Sequence, residues 1–340
     1  MNIIRRTTYL ITACLIITAV CLSASPAYAA TTPSTTNNTA NNGQALEIAP
    51  PVITLTVNPG QTITTKIYLR DVSKGDLIVA GQANDFVAAG ESGTPRVLLE
   101  DTGNNPYSLK NWVTPPASIR LVSKEIKTMD ITFRVPANAS PGGHYGVIRF
   151  TATAPEVNGT GVALSASLGS LVLMTVNGKI SDNMSVQEFS VNHNGKAGKL
   201  FQSGPLNFVT RLKNNGNVHE QPTGQVTITD MFGRKLAVVN VNTPPKNVLP
   251  QSIRKFESPL DKSVIGNKRL FGRYHANLKV TYGQDKKVLT SSMTFWVIPY
   301  RLIAIVITVL IAGFFILRFA IRRYNRRVIQ KSYKPPHNKH

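Results

Sequence analysis

Side chains that could do chemistry are sparse in this chain. Four histidines, His144, His193, His219 and His275, fall in its middle portion. None forms a His-x-x-x-His pair and none has a carboxylate cluster beside it in sequence, so metal ligation is not indicated. Surface strand or loop positions are expected for all four. The triplet Asp101-Thr102-Gly103 has the order of an aspartic-protease half-site. Such a site needs two carboxylates sharing a proton, and no second copy exists, so a loop turn is expected. No Gly-x-Ser-x-Gly elbow occurs. The only cysteines are Cys14 and Cys21. Both precede the globular part, so a thiolate nucleophile, a Cys-based metal site and disulfides are excluded from it. No enzyme activity and no cofactor are expected.

One chemical bias remains. Residues 181–297 hold sixteen basic and seven acidic side chains, whereas residues 46–180 are nearly balanced. Arg254 and Lys255, then Lys268, Arg269 and Arg273, form the candidate anionic-ligand patch. A cationic face of this kind attracts wall polymers or an acidic protein. Nucleic acid is not indicated, because about half of the formal charge of +21 lies in the two end segments or is otherwise tied to membrane topology.

Those ends are distinctive. "MNIIRRTTYL" supplies Arg5 and Arg6, an apolar run follows, and "AYAA" closes the segment. This is the pattern of a secretory signal over residues 1–29, with cleavage expected after Ala29. Val20 precedes Cys21, which argues against lipidation. Residues 30–45 are Thr/Asn-rich and read as a linker. Near the other end, residues 302–317 carry no charge. With their flanks they suffice to cross a bilayer, giving a transmembrane helix over 298–321. Trp296 and Tyr300 suit one interface and Tyr324 the other. Eight Lys/Arg and no acid follow Leu317, so the tail at 322–340 is expected in the cytoplasm and the N-terminal bulk outside. No LPxTG-type sorting signal precedes the helix; "LPQSI" at Leu249 is not one.

Between these ends, helical periodicity is nearly absent. Short Val/Ile/Thr/Phe/Tyr runs such as "VITLTV", "DITFRV", "GQVTITD" and "LTSSMTFWV" alternate with turn clusters such as "NPG" and "SPGG". That pattern predicts an all-β class with two tandem Ig-like β-sandwich domains, over 46–180 and 181–297. A weak duplication supports the pair. Gly143-His144-Tyr145 and Gly272-Arg273-Tyr274 each enter a strand, and each follows a strand expected to end at proline, Pro136 and Pro259. In Ig-like sandwiches a tyrosine so placed bonds back to the preceding corner, so Tyr145 and Tyr274 are expected to be structural tyrosine corners. Tyr145 and Val147 point one way and Ile148 and Phe150 the other, which predicts a strand covered on both faces.

Several motifs in order carry a resemblance: "ITLTVNPGQTITTKIYLRD", "SIRLVSKEIKTMDITFRVPANASPGGHYGVIRF", "GSLVLMTVNGKI" and "VTRLKNNGNVHEQPTGQVTITDMFGRKL". With the apolar helix and basic tail they resemble the WxL-interacting protein family of Gram-positive surfaces. The resemblance implies a first domain concerned with peptidoglycan and a second with host or surface partners. The resulting expectation is a non-catalytic envelope protein, held in the membrane by one helix, whose partner is a cell-wall polymer or a surface protein. The alternative is an Ig-like chaperone or assembly factor that completes an exported client's sheet with an exposed strand edge.

Overall fold

The computed structural model describes residues 45–100, 105–153, 166–266 and 268–332. The signal segment with Cys14 and Cys21, nearly all of the Thr/Asn-rich segment, the Asp101 triplet and the tail beyond 332 lie outside the described residues.

Among the described residues up to 297 the chain is mostly β, built as two sandwiches. The first comprises β1 (Leu46–Ala49), β2 (Val52–Val57), β3 (Thr62–Asp71), β4 (Leu77–Ala89), β5 (Thr94–Leu98), β6 (Ile119–Leu121), β7 (Ile126–Arg134), β8 (Gly142–Thr153) and β9 (Ala166–Val176). One sheet has the order β1-β3-β7; the other runs β2-β9-β8-β4-β5, with β6 also on β4. The second sandwich comprises β10 (Met184–His193), β11 (Lys196–Gly198), β12 (Leu200–Phe201), β13 (Leu206–Asn214), β14 (Thr223–Asp230), β15 (Lys235–Val241), β16 (Ile253–Leu260), β17 (Gly272–Tyr282) and β18 (Lys287–Val297). Its sheets are β11-β10-β13-β16 and β12-β18-β17-β14-β15.

The two halves share one plan. In each, the first strand pairs antiparallel in the smaller sheet. The chain then crosses over and pairs parallel with the last strand of the larger sheet: β2 on β9, β12 on β18. In the first half the crossover falls at Pro50-Pro51, residues that have no N–H to offer a ladder. Strand β17 shows why the pattern was readable: Tyr274, Ala276, Leu278 and Val280 are buried, while Arg273, Asn277 and Lys279 are exposed, the period of two that a half-buried strand requires. Strand β16 runs through Pro259 to Leu260 instead of ending there. It is an edge strand, where a missing N–H is tolerated.

Each sandwich has its own core, around Phe133, Phe150 and Leu121 in the first and Phe208, Phe295 and Leu278 in the second. A third, smaller cluster covers the other face of β8. It gathers Phe86, Tyr145, Val147 and Leu173, and Leu249 of the second sandwich packs on it. Strand β8 is therefore buried on both faces, as its sequence predicts.

Two α-helices are present among the described residues: α1 (Lys262–Ile265) and α2 (Tyr300–Ser332). Asp261 caps α1 by accepting from the Ser263 N–H at 2.9 Å. Residues Tyr300–Arg326 of α2 are 27 residues, and their most apolar stretch of 18 has mean hydropathy 2.7. At 1.5 Å per residue they extend about 40 Å, so this helix is long and apolar enough to cross a membrane. No protein surface covers its Leu310, Phe314 or Phe319 side chains.

Candidate functional site: a sandwich seam and an open strand edge

The tyrosines behave differently. The Tyr274 hydroxyl donates to the Phe271 carbonyl at 3.2 Å and accepts from the Phe271 N–H at 3.0 Å. That is a corner bond back to the preceding turn. Tyr145 is not a corner. Its hydroxyl lies 3.4 Å from His219 Nδ1, on the second sandwich. The cause is the two-sided cover of β8: Tyr145 faces the seam between the sandwiches, and its nearest polar partner is across it. Burial pushes the His219 imidazole down to about 4, so the ring is neutral near pH 7. The same burial pushes the Tyr145 phenol well above its usual range, so it stays protonated beside the imidazole.

The seam is held by polar contacts at several points. Gly143 N–H donates to Asn217 O at 2.7 Å, and the Asn217 amide donates to Pro141 O at 3.2 Å and Lys179 O at 3.1 Å. Asn214, fully buried, ties its own loop by donating to Val218 O and Val248 O. The "NNGNVH" motif is thus a clamp between sandwiches. On the far side, Arg211 bonds Glu91 of the first sandwich at 2.7 Å and also Glu188 beside it.

A cleft of about 630 Å³ opens at this junction, lined by Thr54, Thr56, Asp182, His219, Glu220 and Lys286 among others. Glu220 is 4% exposed and accepts from Gly283 N–H at 2.9 Å. Burial, with Asp182 beside it, pushes its carboxyl up to about 7. Sequence reasoning missed this carboxyl pair, because 38 positions separate its members. Its bonds run to the β17–β18 turn and the inter-sandwich segment, which is the work of a fastener. Among the described residues no three His, Cys, Asp or Glu side chains group as a metal site.

The other histidines are also placed by packing. His144 is 3% exposed, against the surface expectation. It stacks on Trp112 at 4.3 Å and its ring nitrogens face Ser140 O at 2.9 Å and Ser108 O at 3.3 Å. His275 meets Thr294 Oγ1 at 2.9 Å. His193 is on the surface, beside Pro205 O at 2.8 Å.

The five candidate basic residues occupy two places. Arg254 lies along the seam. Its guanidinium donates to Asn247 O and fills the space that a side chain on Gly93 would need, and burial lowers its pKa. Lys255 pairs with Glu257 at 2.8 Å. Lys268 and Arg269 sit beyond the far end of β16, six strand residues from Arg254 or about 20 Å along the chain, and Arg273 opens β17. Lys268 and Arg269 line one cavity beyond β16, apart from Arg254 and Lys255.

The feature best suited to binding is main-chain. β17 and β18 pair in unbroken register from Gly272↔Val297 to Tyr282↔Lys287. On the outer side of β18, Trp296 N–H donates to Lys199 O at 2.7 Å and Ile298 N–H to Phe201 O at 2.8 Å. Alternate residues of an antiparallel strand turn their N–H and C=O to the same side. Val288, Thr290, Ser292 and Thr294 therefore also turn theirs outward. No strand pairs with them among the described residues; β12 covers only Trp296 and Val297. The neighbouring β10 carries a bulge between Val186 and Glu188, a device that turns an edge away from pairing. Strand β18 has none. Leu289 and Met293 are partly buried against the core beside it.

The fold and site define a tandem Ig-like sandwich protein with a C-terminal apolar helix and an open strand edge. No protein-family model and no curated protein matches the chain. Similar solved structures include the E. coli chaperone DraB, at 13% identity and TM-score 0.34 over 74% of this chain and 97% of that one. A complex of the Salmonella enterica SafA pilin with the SafB chaperone gives 9% and 0.33, over 73% and 96%. The Acinetobacter baumannii CsuC–CsuE chaperone–tip adhesion subunit pre-assembly complex gives 12% and 0.32, over 74% and 98%. At such identities and scores no residue role transfers.

Proposed function

We propose that this chain is a non-catalytic, membrane-anchored binding protein that holds an extended segment of another exported protein on the free edge of β18. The observation that carries the reading is the run of outward-facing main-chain groups at Val288, Thr290, Ser292 and Thr294, unpaired among the described residues. A strand added there gains main-chain hydrogen bonds, and its alternate side chains meet the partly buried Leu289 and Met293. The sandwiches stand outside the cell, α2 spans the membrane once, and the basic tail is cytoplasmic. Membership of the WxL-interacting protein family belongs to the same proposal. A wall-polymer ligand finds no support in the basic set. Arg254 is engaged in the seam, Lys255 is paired, and only Lys268 and Arg269 line one cavity.

The test uses the full chain in cells, with a photo-cross-linking side chain at Thr290 and, as a control, at Asn277 on the outer sheet face. Cross-links from position 290 to extended segments of exported proteins, lost in Ser292→Pro, support the reading. Retention of the protein on purified wall sacculi, undiminished in Ser292→Pro and with no cross-link at 290, overturns it.

A further inference from the structure

The large apolar side chains exposed on the second sandwich are not scattered. Among the described residues they are Leu200, Met231, Phe232, Val264, Phe271 and Trp296, with Val288 as the single outlier. Register places five of them at one end, and the loop carrying Val264 adjoins it. Asp230, the last residue of β14, faces Tyr274, and Tyr274 faces Phe295. The β14–β15 tip with Met231 and Phe232 therefore lies beside the start of β17 and the end of β18; a side chain on Gly272 would meet Met231. Leu200 pairs with Trp296. Val264 belongs to α1, and the α1 loop shares a cavity of about 900 Å³ with Pro299 and Leu302 at the head of α2.

This is the end from which the apolar helix departs. Only Ile298 and Pro299 separate β18 from α2, so the sandwich cannot stand far from whatever surrounds the helix. The exposures are large: 74% for Phe232 and 61% for Phe271. Soluble surfaces rarely gather such side chains without an occupant. Cations alternate with them. Arg234 lies over the Phe232 ring at 5.2 Å, and Lys268, Arg269 and Arg273 are exposed around Phe271. Aromatic and aliphatic tips ringed by Lys and Arg suit the headgroup boundary of an anionic bilayer, where the rings enter the interface and the cations meet phosphate.

We infer that this end of the second sandwich is a foot that docks on an anionic lipid surface, fixing the ectodomain against the membrane. The inference goes beyond client binding and rests on the anchoring part of the proposed function, that α2 lies in the bilayer.

The experiment reads depth in proteoliposomes made with the full chain. On a Cys14→Ser, Cys21→Ser background, spin labels are placed one at a time through Phe232→Cys, Val288→Cys and Val309→Cys. Collision with a water-soluble nickel chelate and with oxygen is then measured. In vesicles containing phosphatidylglycerol, the label at 232 loses collisions with the chelate and gains collisions with oxygen, while 288 stays in water. Lys268→Glu with Arg269→Glu restores chelate access at 232, each lost cation weakening docking about fivefold. A label at 232 as wet as that at 288, with 309 in lipid, overturns the foot and leaves the anchor standing. Protection at 232 equal in neutral phosphatidylcholine and untouched by the charge reversals overturns the anionic specificity. A label at 309 that meets the chelate freely overturns the anchor and the foot together.

Discussion

Ser292→Pro is the substitution that separates binding from folding. Ser292 sits in the middle of the outer edge of β18, opposite Asn277. Its N–H turns away from β17, as the outward bond of Trp296 four residues on establishes. Proline there removes a donor that no other described strand uses, and an edge position accommodates the ring. The four outward residues offer up to about eight main-chain bonds to an added strand, each worth about 1 kcal/mol net. Losing the Ser292 donor leaves the client's facing carbonyl buried and unpaired, a cost of about 1–3 kcal/mol. That corresponds to a rise in Kd of about 5- to 150-fold. The neighbouring Ser291→Pro supplies the contrast. Ser291 turns its N–H toward β17 at Leu278, so proline there removes a ladder bond and leaves the facing carbonyl unpaired, at about 1–3 kcal/mol of folding stability. The assay is binding of a cross-linked client segment, as a synthetic peptide, to full-length protein in proteoliposomes, with thermal unfolding measured alongside. Ser292→Pro should melt within a few degrees of the parent and bind poorly. If it binds as the parent does, the edge is not the site. If it unfolds as Ser291→Pro does, the alternation argument itself is wrong.

Glu220 sets a pH dependence. Its folded pKa of about 7 stands above the ordinary 4.5, so the folded state holds the proton more tightly. That stabilisation is complete below about pH 4.5 and is lost as pH rises to about 7, by at most ~3 kcal/mol. Glu220→Gln should flatten the slope of stability between those values and raise the melting temperature at pH 8; an unchanged slope would remove the buried-carboxyl account. Tyr274→Phe should cost about 1–2 kcal/mol, because Phe271 N–H and C=O both lose their partner. Tyr145→Phe loses one long contact to His219 and should cost less than about 1 kcal/mol; denaturant unfolding of the two variants ranks them. Phe208→Ala, at a fully buried position of the second core, should cost about 3–5 kcal/mol, read by the same unfolding experiment.

The sequence was most legible where one face of a strand is buried. Strands β2, β14 and β17 announce themselves by alternation, whereas β8, buried on both faces, shows a continuous run. Strand β10, "MSVQEFSVNH", was not recognised, because its bulge interrupts the period of two. Strands β11 and β12 are too short to carry any period. The Tyr274 corner followed from local order, since its bond closes over three residues. Tyr145, with the same local order, is governed by His219, 74 positions away. No local pattern encodes that. The same limit explains the basic set, which looked continuous at 254–273 but is divided by the length of β16. The open edge of β18 was invisible for a different reason. An edge is defined by the strand that is not beside it, and "LTSSMTFWV" reads identically whether or not β12 covers it.

The edge and the helix are one continuous piece of chain, and this constrains what can be held. From Tyr300 back to Ser292 is eight residues, or about 26 Å of extended backbone. A client strand lying along β18 must share that direction, parallel or antiparallel, so one of its ends lies near the head of α2. An exported segment still tethered in the same membrane reaches Ser292 after about eight extended residues. A soluble client must bring the whole strand from solution and lose its translational freedom as well. For the tethered client the second encounter is intramolecular in effect, confined to the membrane plane and a short tether. Moving the edge away from the bilayer, by inserting a flexible Gly/Ser spacer between Pro299 and Tyr300, should therefore weaken capture of membrane-tethered clients. The same spacer should leave binding of the free peptide unchanged. Equal loss for both would mean that the spacer had disturbed β18 itself, and no loss for either would mean that proximity to the membrane plays no part in capture.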